Sequence, residues 1–285
     1  MKIARVSRGS LESYAVVDKG KLATREEVAK QLHVNLPESM EEFLFSDWLE
    51  NIKNNHISLT EPVGSYRFLP PLSNPSKIIC LGYNYLDHAK EQGATPPDEP
   101  VIFMKPRTAL IGTDDNIVCP KFVTQLDYEG ELAFVISERC KNVKQEEAMQ
   151  HVLGYMVFND VSARDIQFKE SQWTRSKSFD TFAPCGPWLT TKDEIADPHN
   201  LRITTKVNGE VRQDSSTKNM ALQIDRIVAS LSKVMTLERG DIIATGTPSG
   251  VAVFMTNPKF LQHGDSIEIE IENLGKIRNI VTFVD

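Results

Sequence analysis

The sequence predicts an α+β protein that is mostly β. The first observation is a set of short runs rich in strand-forming residues, at 78–81, 101–105, 132–136 and 152–158. The second is the pair Asn208-Gly209 between two strand-like segments, which fits a type I′ hairpin turn. The third is that helical periodicity is found in few segments, chiefly residues 220–235, which form an amphipathic helix expected to pack on a sheet. Shorter helices are expected at about 145–150 and 162–170.

The N-terminal quarter is predicted to be a separate small α+β domain, residues 1–70. It begins with two strand candidates around a tight turn and continues with two helix candidates, at 24–32 and 39–54. A proline-rich passage at 61–76 is interpreted as a linker. The larger domain, residues 71–285, carries all of the candidate chemistry.

Composition and charge narrow the class of protein. The chain has 285 residues, 40% hydrophobic and 25% charged, which is ordinary for a globular protein with a substantial core. The net charge of −7 argues against nucleic acid or an anionic membrane as a partner, because such contacts need a basic face.

Cysteine usage and apolar runs indicate the compartment. The four cysteines are far apart and form no C-x-x-C pair, so they are interpreted as small buried side chains rather than as disulfides or a zinc site. No apolar run reaches about 18 residues, and the N-terminus lacks the apolar stretch of a signal peptide. We therefore expect a cytoplasmic protein.

Carboxylates cluster around the two central strand candidates. Glu129 and Glu131 enter one strand two residues apart and so point to the same face, and Asp160 ends the next apolar run. Like charges this close are costly unless one is protonated or a cation lies between them. Three oxygen ligands without cysteine or histidine favour Mg²⁺ or Mn²⁺ over zinc. The alternative is an exposed strand start where the acids are simply solvated.

A possible acid–base pair lies on a short predicted helix that ends at Gly93. His88 and Glu91 are three residues apart and therefore share a helical face. Glu91 could polarise His88 so that the imidazole accepts a proton. A surface helix whose charges face solvent remains the alternative.

Polar residues with possible substrate roles follow Asp160. Arg164 could stabilise Asp160 or bind a substrate carboxylate, and Gln167 could donate a hydrogen bond to a substrate oxygen. Thr247 lies in a turn of small residues that lets an anionic ligand approach. Solvent exposure, or an ordinary turn, is the alternative for each of them. Lys105, at the end of a strand, could balance the acids or be an ordinary surface cation.

These motifs, taken in order, resemble the fumarylacetoacetate hydrolase family, and the resemblance runs from about residue 77 to the C-terminus. The motifs that carry it are Gly82-Tyr83-Asn84-Tyr85-Leu86-Asp87-His88-Ala89-Lys90-Glu91, Phe103-Met104-Lys105-Pro106, Glu129-x-Glu131, Asn159-Asp160-x-Ser162-Ala163-Arg164-Asp165-x-Gln167, Lys177-Ser178-Phe179-Asp180 and Gly246-Thr247-Pro248-x-Gly250-Val251.

The resemblance implies a fold, an assembly and a set of site roles. The fold is a mixed β-sheet roll or sandwich with peripheral helices, preceded by the small N-terminal domain, and the assembly is a homodimer. One Mg²⁺ or Mn²⁺ ion per subunit is expected on Glu129, Glu131 and Asp160. The other implied roles are catalytic for His88, Glu91 and Lys177 and substrate-binding for Arg164, Gln167 and Thr247.

The function that the resemblance implies is cleavage of a carbon–carbon bond in a β-diketo acid, such as an acylpyruvate or a sugar-derived diketo acid. Lys177 would stabilise the enolate oxygen as it forms. An oxaloacetate-type decarboxylase and a 2-oxo-ene-dioate isomerase or decarboxylase remain alternatives on the same site. A non-catalytic binding module is a further alternative.

Overall fold

The computed structural model describes residues 1–285 and contains nineteen strands. In chain order they are β1 Lys2–Arg8, β2 Leu11–Asp18, β3 Lys21–Thr24, β4 Glu61–Pro62, β5 Arg67–Leu69, β6 Ile78–Gly82, β7 Val101–Lys105, β8 Leu110–Ile111, β9 Asn116–Pro120, β10 Leu126–Asp127, β11 Gly130–Ile136, β12 Val152–Asn159, β13 Ser162–Ala163, β14 Ala183–Thr191, β15 Arg202–Val207, β16 Glu210–Ser216, β17 Ile242–Ala244, β18 Ser266–Ile271 and β19 Gly275–Val284.

The strands form two large sheets and one small one. The main sheet follows the order β4-β3-β2-β1-β14-β12-β11-β17-β6-β7, with β5 paired to β1 and β8 paired to β14. The second sheet has the order β16-β15-β18-β19-β9, and β10 pairs with β13 alone. Both parallel and antiparallel pairs occur, for example β17 with β6 and β11 with β12. The predicted fold class, mostly β with mixed sheets, is confirmed.

Seven short α-helices flank the sheets: α1 Arg25–Leu32, α2 Met40–Leu44, α3 Trp48–Lys53, α4 Leu86–Glu91, α5 Arg164–Gln167, α6 Thr174–Lys177 and α7 Ile224–Val234. The first is capped by Thr24, which forms a capping box with Glu27. The apolar residues of α7 are buried, as its periodicity predicts.

Three predicted helices differ in extent or type. Residues 39–54 form two helices, because the Ser46 hydroxyl bonds the backbone at Phe43 and Trp48 and competes with a continuous helix. Residues 162–170 contain only the short α5, because Ser162 and Ala163 pair with β10 first. Residues 145–151 form a 3₁₀ helix instead of an α-helix.

The core lies on both faces of the main sheet. On the central strand β11, Leu132, Phe134 and Ile136 pack on one side together with the second sheet and α7. Ala133 and Val135 point to the other side, where the N-terminal helices cover the sheet. Burial on both faces explains why this strand is a continuous apolar run.

The N-terminal strands are continuous with the main sheet, since β1 pairs with both β2 and β14. The proline-rich stretch at 61–76, which the sequence suggests is a linker, contains β4 and β5, and β5 pairs with β1. The domain boundary at residue 70 stays a prediction. No helix in the chain is both long and apolar enough to cross a membrane.

Candidate active site

Strand pairing brings the three acidic residues together. Glu129 precedes β11, Glu131 lies within it, and Asp160 follows β12. The two strands are antiparallel and pair Gly130 with Asn159, and the Asp160 N–H donates to the Glu129 carbonyl at 2.9 Å. One carboxylate oxygen from each of the three acids lies within 4.8 Å of the others, and all three residues are buried.

Glu131 is the least compensated of the three acids. Its Oε2 accepts a hydrogen bond from the Gly246 N–H at 2.9 Å, whereas Oε1 is buried without any partner. Burial raises the pKa of Glu131 well above its ordinary value, and the charges of Asp160 and Glu129 raise it further. A buried, unpartnered carboxylate oxygen beside two other carboxylates fits a hard divalent cation.

Three buried cations surround the acids. Lys177 Nζ lies 2.7 Å from Glu129 Oε2 and 2.9 Å from Asp160 Oδ2, and Lys105 Nζ lies 2.7 Å from Asp160 Oδ1. Arg164 Nη1 is 2.7 Å from Glu129 Oε1. Burial alone would raise the pKa of Glu129, but Lys177 and Arg164 outweigh it and hold that pKa below its usual range.

The predicted acid–base pair is formed within α4. His88 Nδ1 lies 2.6 Å from Glu91 Oε1, and the other Glu91 oxygen accepts the Gly250 N–H at 3.1 Å. His88 is only 7% exposed. Its Nε2 is 2.6 Å from the side-chain amide nitrogen of Gln92, so Glu91 fixes one ring nitrogen and Gln92 covers the other.

The remaining predicted residues lie in the same place. Arg164 Nη1 donates to Gln167 Oε1 at 2.8 Å, while Arg164 Nη2 is buried without a hydrogen-bond partner. Thr247 Oγ1 donates to the Gly130 carbonyl at 3.0 Å and accepts from Gln213. The Arg164 side chain therefore keeps one nitrogen free for a ligand.

A cavity of about 50 Å³ lies between His88 and Glu129, and Glu131 and Asp160 are not part of its lining. Its polar side is formed by His88, Gln92, Glu129, Arg164, Gln167, Lys177 and Thr247. Its apolar side is formed by Leu81, Tyr83, Phe103, Phe168, Trp173 and Phe254. Every predicted catalytic and substrate residue except Glu91 lines the cavity, and Glu91 is bonded to His88.

Sequence reasoning does not assign several residues that the structure brings to the site. Asp127 is fully buried and binds Arg164, and its place in the same acidic stretch as Glu129 is the one local signal for it. Gln92 lies one residue after Glu91. Trp173 and Phe254 carry no local signal for a cavity, because their approach depends on tertiary packing. Lys105, for which the sequence leaves two interpretations open, is buried against Asp160.

The fold and site define an enzyme-like centre in which three buried acids that could hold a metal ion accompany a hydrogen-bonded histidine–glutamate pair. The model of the fumarylacetoacetate (FAA) hydrolase C-terminal family matches residues 77–282. This chain belongs to that family, as its motifs indicate.

Proteins with different names are similar to this chain in sequence or in structure. A mitochondrial oxaloacetate tautomerase of Xenopus laevis is 50% identical over 215 residues, which are 75% of this chain and 67% of the relative. The solved fumarylacetoacetate hydrolase of Exiguobacterium antarcticum is 36% identical, with a TM-score of 0.86 and coverage of 100% of both chains. A 5-carboxymethyl-2-hydroxymuconate delta-isomerase of Mycobacterium smegmatis is also 36% identical, with a TM-score of 0.79 and the same coverage.

Proposed function

We propose that this protein is a divalent-metal-dependent enzyme that moves a proton at the carbon beside the ketone of a small 2-oxo diacid, with oxaloacetate as the type substrate. The observation that carries the proposal is that His88, held at Nδ1 by Glu91, lines the same cavity as Glu129 and Lys177. The similarity to an oxaloacetate tautomerase supports it.

A metal fits the acidic cluster. Glu129, Glu131 and Asp160 would hold Mg²⁺ or Mn²⁺, and the bound ion would supply Lewis-acid stabilisation of negative charge on a neighbouring oxygen.

The chain's own residues account for substrate binding. Arg164 Nη2 is a buried donor without a partner. The Gln167 amide oxygen accepts from Arg164, which leaves the amide NH₂ group as the part of Gln167 that can donate to a ligand. Both residues line the cavity, and together they suit a carboxylate that needs two donors. This is the argument for a diacid.

The proton transfer is assigned to His88. Glu91 holds Nδ1 and stabilises the imidazolium, so Nε2 is the nitrogen that takes the enol proton and returns it to carbon. Gln92 must turn away from Nε2 before substrate can reach it. The Lys177 ammonium stabilises the negative oxygen that exists between the two transfers. No bond other than those to the proton is broken.

Hydrolysis of an acylpyruvate, the first expectation from the sequence, is the second candidate. The aromatic wall of the cavity, which includes Phe103, Trp173 and Phe254, carries no charge and suits an uncharged acyl group. In this reaction His88 would activate water for attack on the second carbonyl.

Several finer expectations belong to the same proposal. They are the choice of Mg²⁺ or Mn²⁺, a small-molecule acid as the partner without nucleic acid or membrane, homodimer assembly, a cytoplasmic location and the domains at 1–70 and 71–285.

The test follows the ultraviolet absorbance of enol-oxaloacetate and, separately, of acetylpyruvate. With Mg²⁺ or Mn²⁺ we expect the enol signal to decay faster than in buffer, and His88→Ala to lose about 10²–10⁴-fold of that acceleration. His56→Ala, an exposed histidine outside the cavity, is the matched control. Acetylpyruvate cleavage without enol conversion would favour the second candidate, and activity on neither compound would refute both.

A further inference from the structure

Asp127 is a buried acid that belongs neither to the acidic cluster of Glu129, Glu131 and Asp160 nor to the His88–Glu91 pair. It ends β10, two residues before Glu129, and is 0% exposed. A carboxylate buried so completely needs several donors to offset the loss of hydration.

Its two oxygens meet four donors from three segments. Oδ1 accepts the backbone N–H groups of Tyr128 and Ala252, each at 2.9 Å. Oδ2 accepts Arg164 Nε at 2.9 Å and the Val253 N–H at 3.2 Å. A neutral amide has a single acceptor oxygen and cannot satisfy all four donors, so this position uses both oxygens of a carboxylate.

The contact with Arg164 connects Asp127 to the acidic cluster and to the substrate-binding residues. With Nε held by Asp127, the Arg164 guanidinium presents Nη1 to Glu129 at 2.7 Å. The same orientation leaves Nη2 without a protein partner. Asp127 therefore fixes the plane of the guanidinium that neighbours a metal ligand.

The contacts with the backbone N–H groups of Ala252 and Val253 connect Asp127 to the His88–Glu91 pair. Ala252 and Val253 are followed by Phe254, whose ring lies 5.7 Å from the His88 ring between centroids. Two residues before Ala252, the Gly250 N–H donates to Glu91 at 3.1 Å. Fixing the backbone at 252–253 thus holds a segment that touches both members of the pair.

We infer that Asp127 is a positioning residue that fixes Arg164 and the His88–Glu91 pair in position relative to each other. It acts through Arg164 on one side and through residues 250–254 on the other. Its effect on turnover rests on the proposed function, whereas its effect on the mobility of residues 250–254 and of α4 does not.

Asp241 provides a matched control. It is also 0% exposed, accepts the backbone N–H groups of Lys77 and Glu238, and pairs with the Lys77 ammonium at 2.7 Å. Neither Lys77 nor Glu238 lines the cavity, whereas Asp127 binds Arg164, which does. Asp241→Asn and Asp127→Asn therefore remove the same charge from similar surroundings, and only one of the two surroundings is connected to the site.

The experiment measures amide hydrogen exchange of the full chain by mass spectrometry, together with oxaloacetate kinetics. Asp127→Asn should speed exchange in peptides covering residues 250–254 and α4, lower kcat about 10–100-fold and raise KM. Asp241→Asn should leave both peptides and kcat unchanged, even where it lowers the melting temperature. If Asp127→Asn does not fold, amide exchange in the same peptides is measured for Asp127→Ser instead.

Equal exchange in α4 for the Asp127 variant and the wild type would overturn the inference. So would a loss of kcat no larger than that of Asp241→Asn. If the wild-type protein turns over no 2-oxo acid, the proposed function fails, and the exchange comparison still decides the role of Asp127.

Discussion

Replacing Glu131 by Gln should change the stability of the protein in opposite directions with and without a divalent ion. In the metal-free protein, Oε1 of Glu131 is buried without a partner, close to the oxygens of Glu129 and Asp160. An amide of the same shape can keep the Gly246 contact through its oxygen and turn its NH₂ group towards those carboxylates. In the wild type the repulsion among these carboxylates is relieved only by proton uptake, since it raises the pKa of Glu131, whereas the neutral amide donates hydrogen bonds without taking up a proton.

The size of this effect follows from the strength of the new hydrogen bond. A hydrogen bond to a charged group contributes about 1.5–3 kcal/mol. For a chain of this length, 1 kcal/mol shifts the melting temperature by about 2 °C. We therefore expect Glu131→Gln to melt about 3–6 °C above the wild type in the presence of a chelator.

Metal binding should produce the reverse order. An ion present at 1,000 times its dissociation constant stabilises the wild type by about 4.1 kcal/mol, which corresponds to about 8 °C. Glu131→Gln lacks one of the three ligand charges and should be stabilised little by the same ion concentration.

The assay is thermal unfolding by circular dichroism in EDTA and in Mn²⁺, with Glu147→Gln, an exposed acid, as the control. A Glu131→Gln variant that melts below the wild type in EDTA would refute the argument about the unpartnered oxygen. A variant that Mn²⁺ stabilises as much as it does the wild type would refute the ligand assignment.

Three further predictions concern other groups. Lys105→Met should lower the free energy of unfolding by about 3–5 kcal/mol in urea titration, because it removes the ion pair between Lys105 and the buried Asp160 carboxylate. A loss below about 1 kcal/mol would contradict this prediction. Trp173→Ala opens the aromatic wall, so the kcat/KM of a long acylpyruvate relative to that of oxaloacetate should rise at least about tenfold, and an unchanged ratio would contradict it. Burial lowers the pKa of His199 below its ordinary value, against the opposing charge of Asp197, and its Nε2 accepts the Ile224 N–H at 3.1 Å. The unfolded chain therefore binds more protons than the folded chain below about pH 6.5. The free energy of unfolding should thus decrease as the pH falls from about 6.5 towards the folded pKa of His199. His199→Gln should flatten this decrease in urea titrations, and an unchanged slope would contradict the assignment.

The acidic cluster could be predicted from sequence because it depends on two neighbouring strands. Glu131 lies in a strand, Glu129 just before it, and Asp160 ends the next strand, so antiparallel pairing alone brings them together. His88 and Glu91 were predictable for a similar reason, since three-residue spacing within a helix is a local relation.

Residues whose roles depend on distant segments could not be assigned in this way. Lys105 donates to the carbonyls of Val161, Lys177 and Phe182, which lie 56 to 77 residues further along the chain. The predicted helix from residue 162 was too long for the same reason, because Ser162 and Ala163 pair with a strand that only the folded chain brings near.

The most direct test of the proposed function is deuterium incorporation at carbon 3 of oxaloacetate in D₂O, followed by proton NMR. With Mg²⁺ or Mn²⁺ we predict that the wild-type protein accelerates exchange above the buffer rate, and that His88→Ala returns it close to that rate while still binding Mn²⁺. Exchange that is equally fast with His88→Ala, or with a chelator in place of the ion, would contradict the assignment of the proton transfer to this site.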